Sequence, residues 1–139
     1  MGGRAVTMED LTIVESPFEP NETLERLEAE VQARGLTVFA RIDHAAGAAA
    51  VGLTLAPTTV VIFGNARGGT PLMQVSQLIG LDLPLKVLVW QDASGKTRLA
   101  YVDPRVLVER YGIGAETATP ANNLSGALRT LTRKAAGLD

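Results

Sequence analysis

The stretch that decides the fold is LKVLVWQDASGKTRLAYVDP, Leu85 to Pro104. Two β-rich runs, Leu85 to Gln91 and Thr97 to Val102, flank Asp92-Ala93-Ser94-Gly95-Lys96, whose glycine and short polar residues suit a hairpin loop. The two runs therefore pair antiparallel. Asp103-Pro104 then combines a capping side chain with a proline suited to the first helical position, and the helix it opens ends near Gly112.

Working outward, Thr58 to Phe63 is a continuous β-branched and aromatic run between Pro57 and Gly64, the pattern of a central strand covered on both sides. Leu11 to Ser16 alternates ahead of Pro17 and reads as a first strand. A helix follows, with Pro20 at its first position, Leu24, Leu27 and Val31 on one face, and Gly35 as its stop. From Leu36 to His44 the period is two. Leu36, Val38, Ala40, Ile42 and His44 share one face; Thr37, Phe39, Arg41 and Asp43 share the other.

Ala45 to Gly52 suits either a short helix or a close-packed connection. Asn65 to Gly69 reads as a glycine-bearing loop, with Thr70-Pro71 as the cap and first position of a helix carrying Leu72, Met73, Val75, Ser76 and Ile79 up to Gly80. Glu116 to Thr119 is linker-like, and Leu124, Leu128, Leu131 and Ala135 mark a terminal amphipathic helix over about 120–137. The expectation is a single α+β domain over residues 1–139: two layers, an antiparallel sheet with helices packed on it, in the order strand, helix, several strands, helix.

Composition narrows the chemistry. The net charge of -2 argues against a protein built to grip nucleic acid. The absence of cysteine removes disulfides, thiolate metal sites and a cysteine nucleophile. With 46% hydrophobic and 20% charged residues, the chain is too apolar for disorder and too interrupted by charge for a membrane span. Met1 to Asp10 has no apolar core of a secretory leader, which makes the cytoplasm the expected compartment.

Several segments together resemble a known family. They are Thr23 to Leu27, Gly35 to His44, Phe63-Gly64-Asn65, Gly69-Thr70-Pro71-Leu72-Met73, Leu81 to Lys86, and the turn Tyr101 to Pro104. Their order is similar to that of the domain-of-unknown-function 302 family, over a core of about residues 11–112, with the terminal helix beyond it. Ala66 departs from the pattern, which usually has proline after the asparagine. The resemblance implies a TATA-binding-protein-like two-layer fold, often homodimeric, and no established activity or cofactor.

The candidate ligand site is Asn65, Arg67, Gly68, Gly69 and Thr70, because a helix start presents free N–H groups to an anion and glycines let a ligand approach the backbone. The expected ligand is a small anionic molecule or cofactor, bound near His44. Asp43 and His44 are the candidates for proton transfer in an enzyme reading. His44 and Met73 are the candidate metal or haem ligands, each with a structural alternative: a backbone-bonded imidazole and a core thioether. Trp90 and Tyr101, on facing hairpin strands, suit a stacked ligand, a dimer interface or cross-strand packing. A third reading makes the terminal helix a docking surface for a protein partner.

Overall fold

The structure, a computed structural model, describes residues 7–139. The leader reading of Met1 to Asp10 therefore lies outside the described residues over 1–6. Five antiparallel strands form one sheet: β1 (Leu11–Ser16), β2 (Thr37–Asp43), β3 (Thr58–Gly64), β4 (Leu85–Gln91) and β5 (Thr97–Val102), in the order β1-β5-β4-β3-β2. The helices are α1 (Pro20–Ala33), α2 (His44–Ala50), α3 (Ala66–Val75), α4 (Pro104–Arg110) and α5 (Ala118–Ala135), with 3-10 turns at Met8–Asp10 and Gln77–Asp82. This is an α+β fold. No helix among the described residues is long and apolar enough to cross a membrane.

The β4–β5 hairpin forms because Asp92 organises its loop. Its carboxylate accepts from Ser94 N, Ser94 Oγ and Lys96 N at 2.9, 2.6 and 3.0 Å, and from Arg98 Nε at 2.6 Å, while Gly95 takes the left-handed turn position at φ 85°. The register then runs Gln91↔Thr97 to Leu88↔Ala100. Alternation puts Val87, Val89, Leu99 and Tyr101 on one face, where Leu24, Leu27 and Val31 of α1 and Leu128, Leu131 and Ala135 of α5 cover them. Val61 and Phe63 complete this main core, both fully buried. A smaller cluster, Leu72, Ile79, Val108, Ile113 and Ala121, lies beneath α3, α4 and the start of α5.

Several expectations are corrected. β3 is an interior strand, between β4 and β2, but its two faces are unequally covered, with Thr59, Val61 and Phe63 buried and Thr58, Val60 and Ile62 half-buried. Of the five residues assigned to one face, only Val38, Ala40 and Ile42 lie in β2, and they do not stay in phase. Val38 pairs with Phe63 and Ala40 with Ile62, so Phe39 is an extra residue, and this bulge turns Arg41 to the helix-covered side, where it meets Glu28 of α1 at 2.8 Å. Trp90 pairs with Arg98 and Tyr101 with Thr12, which places the two aromatics on opposite faces rather than together.

The linker expected at Glu116 to Thr119 is a buried helix entry: Thr117 is fully buried, its hydroxyl donates to Ile113 O at 2.7 Å, and α5 begins at Ala118. On α5, Leu128, Leu131 and Ala135 lie in the main core and Ala121 in the smaller cluster. Ala45 to Gly52, left open between helix and connection, carries α2. Asp43 caps it, accepting from Ala46 N at 2.9 Å.

Candidate functional site

Asn65 decides where α3 begins. Its side chain accepts from Gly68 N at 2.9 Å and its carbonyl accepts from Gly69 N at 3.3 Å, so helical turns close over Ala66 to Gly69 before Thr70 is reached. The expected loop is therefore the first turn of the helix. Thr70 is not the cap and Pro71 lies inside the helix, a position where its ring costs one hydrogen bond to the Arg67 carbonyl. α3 ends at Val75, and Gly80 sits within the following 3-10 turn.

The start of α3 opens onto a cavity of about 310 Å³, between α3, α5 and the Gly64 end of the sheet. Its walls are mostly hydrocarbon, with Phe39, Met73, Leu83 and Leu124 prominent. Leu83 and Leu124 pack against both core clusters, so the cavity lies in the seam where the two clusters meet. Asn65, Gly68 and Gly69 line it; Arg67 and Thr70 are exposed and outside it. Polar character comes from the backbone: Ala66, which lines the cavity, occupies the first helical position, whose N–H has no acceptor within the helix.

The two glycines differ. A Cβ at Gly68 would come to 3.0 Å from Leu124 Cδ2 and 3.3 Å from Asn65 Oδ1, so a larger residue there would have to displace these neighbours. At Gly69 a Cβ would meet Leu83 Cδ1 at 3.5 Å and Met73 Cε at 3.7 Å, ordinary contacts. Glycine inside a helix costs up to about 1 kcal/mol relative to alanine. The packing around position 69 does not require glycine.

His44 does not join this site. Thr37 pairs with Gly64 while Asp43 pairs with Thr59, so the start of α3 and His44 lie at opposite ends of the β2–β3 pair, roughly 20 Å apart at strand spacing. His44 is exposed on the first turn of α2, and the Asp43 carboxylate is taken up by the cap. Met73 is half-buried against the smaller cluster and lines the cavity with its thioether. No group of three or more histidine, cysteine or acidic side chains suited to a metal occurs among the described residues.

Sequence reasoning missed the hydrocarbon half of the site: Leu36, Phe39, Pro84, Leu124 and Ala127 also line the cavity and come from segments distant in the chain. Only Phe39 carried a signal, an aromatic residue on the polar-phase side of an edge strand.

This arrangement can be set beside known proteins. The description "Domain of unknown function DUF302" matches residues 12–131. The chain belongs to the DUF302 family. The match runs well into α5, so the terminal helix is part of the family domain rather than an addition beyond residue 112. The crystal structure of an uncharacterized conserved DUF302 protein from Bacillus stearothermophilus superposes with a TM-score of 0.83 over 93% of this chain and 99% of that one, at 23% identity, which shows a shared fold.

Curated relatives are proteins named Fluoride-specific ion channel FluC 1. That of Brucella suis biovar 1 (strain 1330) is 43% identical over 127 residues, 91% of this DUF302 chain and 50% of the relative. That of Brucella abortus biovar 1 (strain 9-941) is equally similar over 47% of its length. The chain spans about half the length of these curated relatives.

Proposed function

We propose that this DUF302 chain is a small-ligand-binding, homodimeric module, whose ligand places an apolar body in the cavity between α3 and α5 and a polar or anionic end on the N–H of Ala66. The observation that carries this reading is Gly69, a helical glycine that the packing does not require and that borders the cavity. A volume of about 310 Å³ sits at the lower end of small-molecule sites, which run from ~300 to 1,000 Å³ with mostly hydrophobic walls and few polar groups. The anionic ligand expected from the loop is thereby sharpened to one with substantial hydrocarbon.

The homodimer rests on the sheet's second face. Ile13, Ala100, Leu88, Val60 and Ile42 stand in one cross-strand row spanning all five strands, and none of them belongs to either core cluster of the described residues. Ile13 and Ile42 are 47% and 44% exposed. The row is centred on Leu88 of the central strand with isoleucine at both ends, a self-complementary pattern of the kind a two-fold interface requires. A second copy supplies the cover that the composition of β3 anticipates, and the cytoplasm is the compartment we assign to the pair.

Thermal-shift measurements with carboxylates of graded hydrocarbon size test the ligand. Stabilisation that is lost in Gly69→Leu and retained in Arg67→Ala and Thr70→Ala supports the cavity; stabilisation lost in the latter two variants points to an external anion site instead. Trp90, the single tryptophan, stands on the open face and reports dimerisation. Its emission should shift to shorter wavelength as protein concentration rises.

A second reading is favoured by the relatives. Since an ion channel needs membrane-spanning segments and no described helix here is long and apolar enough to cross a membrane, the half shared with proteins named as fluoride channels would be a companion to the conducting part. Fluoride titration followed by amide NMR tests it: shifts confined to Ala66 and Arg67 would make the α3 start an anion sensor, and unshifted amides would leave only the hydrocarbon ligand.

A further inference from the structure

The sheet forks. β5 stays paired with β1 as far as Val102↔Leu11, and β4 stays paired with β3 as far as Leu85↔Phe63, but β4 and β5 pair with each other only from Gln91↔Thr97 to Leu88↔Ala100. Beyond Leu88 the two central strands part while each keeps its outer neighbour. A cavity of about 390 Å³ occupies the fork and is separate from the one beside α3, with only Leu85 bordering both.

The walls come from both sides of the sheet: Val60, Leu88 and Ala100 from the open face, Tyr101 and Leu128 from the helix side, Leu107 from α4. Alternate residues on each prong turn N–H and C=O groups toward the gap, where the other central strand would normally satisfy them. The interior is thus hydrocarbon edged with backbone polar groups.

The mouth carries Asp82 and Lys86. Asp82 is already engaged: Tyr111 Oη donates to its carboxylate and Arg110 lies 3.6 Å away. Lys86 Nζ donates to two carbonyls, Asp82 O and Pro84 O, each at 3.3 Å, and has no carboxylate partner among the described residues. With Asp82 balanced by Arg110, the ammonium of Lys86 is the uncompensated charge at the mouth.

We propose that the fork is a second ligand site, for a small carboxylate with an unbranched hydrocarbon tail: the tail enters between β4 and β5 toward Leu128 and the carboxylate pairs with Lys86. A second copy on the open face would cover Leu88 and Val60 without filling this space, because the fork runs through the sheet rather than along it.

Amide NMR with hexanoate, hexylamine and 1-hexanol as probes tests the assignment on the whole chain. Hexanoate should shift the amides of Lys86, Val87, Tyr101 and Val102, with about tenfold weaker binding in Lys86→Met and recovery in Lys86→Arg. Lys86 is exposed, so both variants should fold, which their unperturbed core signals would verify. Hexanoate shifts confined to residues 64–69 would assign the carboxylate to the other cavity and overturn the proposal. So would equal affinity for 1-hexanol, or binding indifferent to Lys86→Met.

Discussion

The two faces of the sheet are built from similar residues and treated in opposite ways. On one, Val61, Phe63, Val87, Val89 and Leu99 are removed from water by α1 and α5. On the other, Ile13, Ala100, Leu88, Val60 and Ile42 form an equally continuous apolar row that lies outside both core clusters of the described residues, with its two isoleucines exposed. The difference teaches that hydrophobicity along a strand reports the total cover it will have, not whether that cover is its own. The largest effect is expected on the covered face. Phe63→Ala should destabilise by about 3–5 kcal/mol in urea unfolding, since the ring is fully buried and its cavity cannot collapse between two layers.

The same chemistry on the open face should behave differently. Ile13→Asp should change the stability of dilute protein by less than about 1 kcal/mol, as surface substitutions do at a residue 47% exposed on an edge strand, while abolishing the concentration dependence of the unfolding midpoint and the dimer in sedimentation. A loss comparable to that of Phe63→Ala in dilute protein would mean that the chain covers this face itself, and would end the comparison.

The covered face also has a gap, and Gly69 borders it. Gly69→Ala should raise stability by up to about 1 kcal/mol while narrowing the cavity and weakening its ligand, so that stability and binding move in opposite directions. A fall in stability would show that the glycine serves packing, as at Gly68.

These faces were partly legible in the sequence, and the reasons for success and failure are local. Asp103-Pro104 and Thr70-Pro71 carry the same cap-and-proline signal. The first opens α4, with Asp103 accepting from Arg105 N at 2.9 Å; the second lies inside a helix that Asn65 has already started. A side-chain acceptor three residues ahead of a free N–H outranked the proline rule. The hairpin was readable to the residue because Asp92 and Gly95 fix its loop within five positions.

The candidate site was half readable for the same reason. Asn65, Gly68 and Gly69 act through neighbouring backbone, whereas Phe39, Leu83 and Leu124 meet through tertiary packing that no spacing encodes. The β2 bulge is the clearest loss: one extra residue at Phe39 reverses the face of everything after it, including Arg41. Arg41→Ala should accordingly cost no more than about 1 kcal/mol, the range of a partly exposed ion pair, and Glu28→Ala should add almost nothing further in a double-mutant cycle.

The smallest effect concerns the loop that aligns both faces. Hydrogen bonds from Ser94, then Arg98 and the Lys96 N–H, hold the Asp92 carboxyl far below the ordinary carboxylate range. A carboxyl depressed in the folded state contributes stability that is complete above its unfolded pKa of about 3.9 and fades as the pH falls below that value toward the folded one. Acid titration should therefore loosen the amides of Ser94, Gly95 and Lys96 only in strongly acidic solution, while the covered strands Val87 to Val89 remain protected. Because the loop lies at the paired end of β4 and β5, opposite the fork, Asp92→Asn should remove this acid transition and leave hexanoate binding at Lys86 unchanged. A shift of both together would mean that the hairpin moves as one rigid unit and that the fork closes when its loop is firmly held.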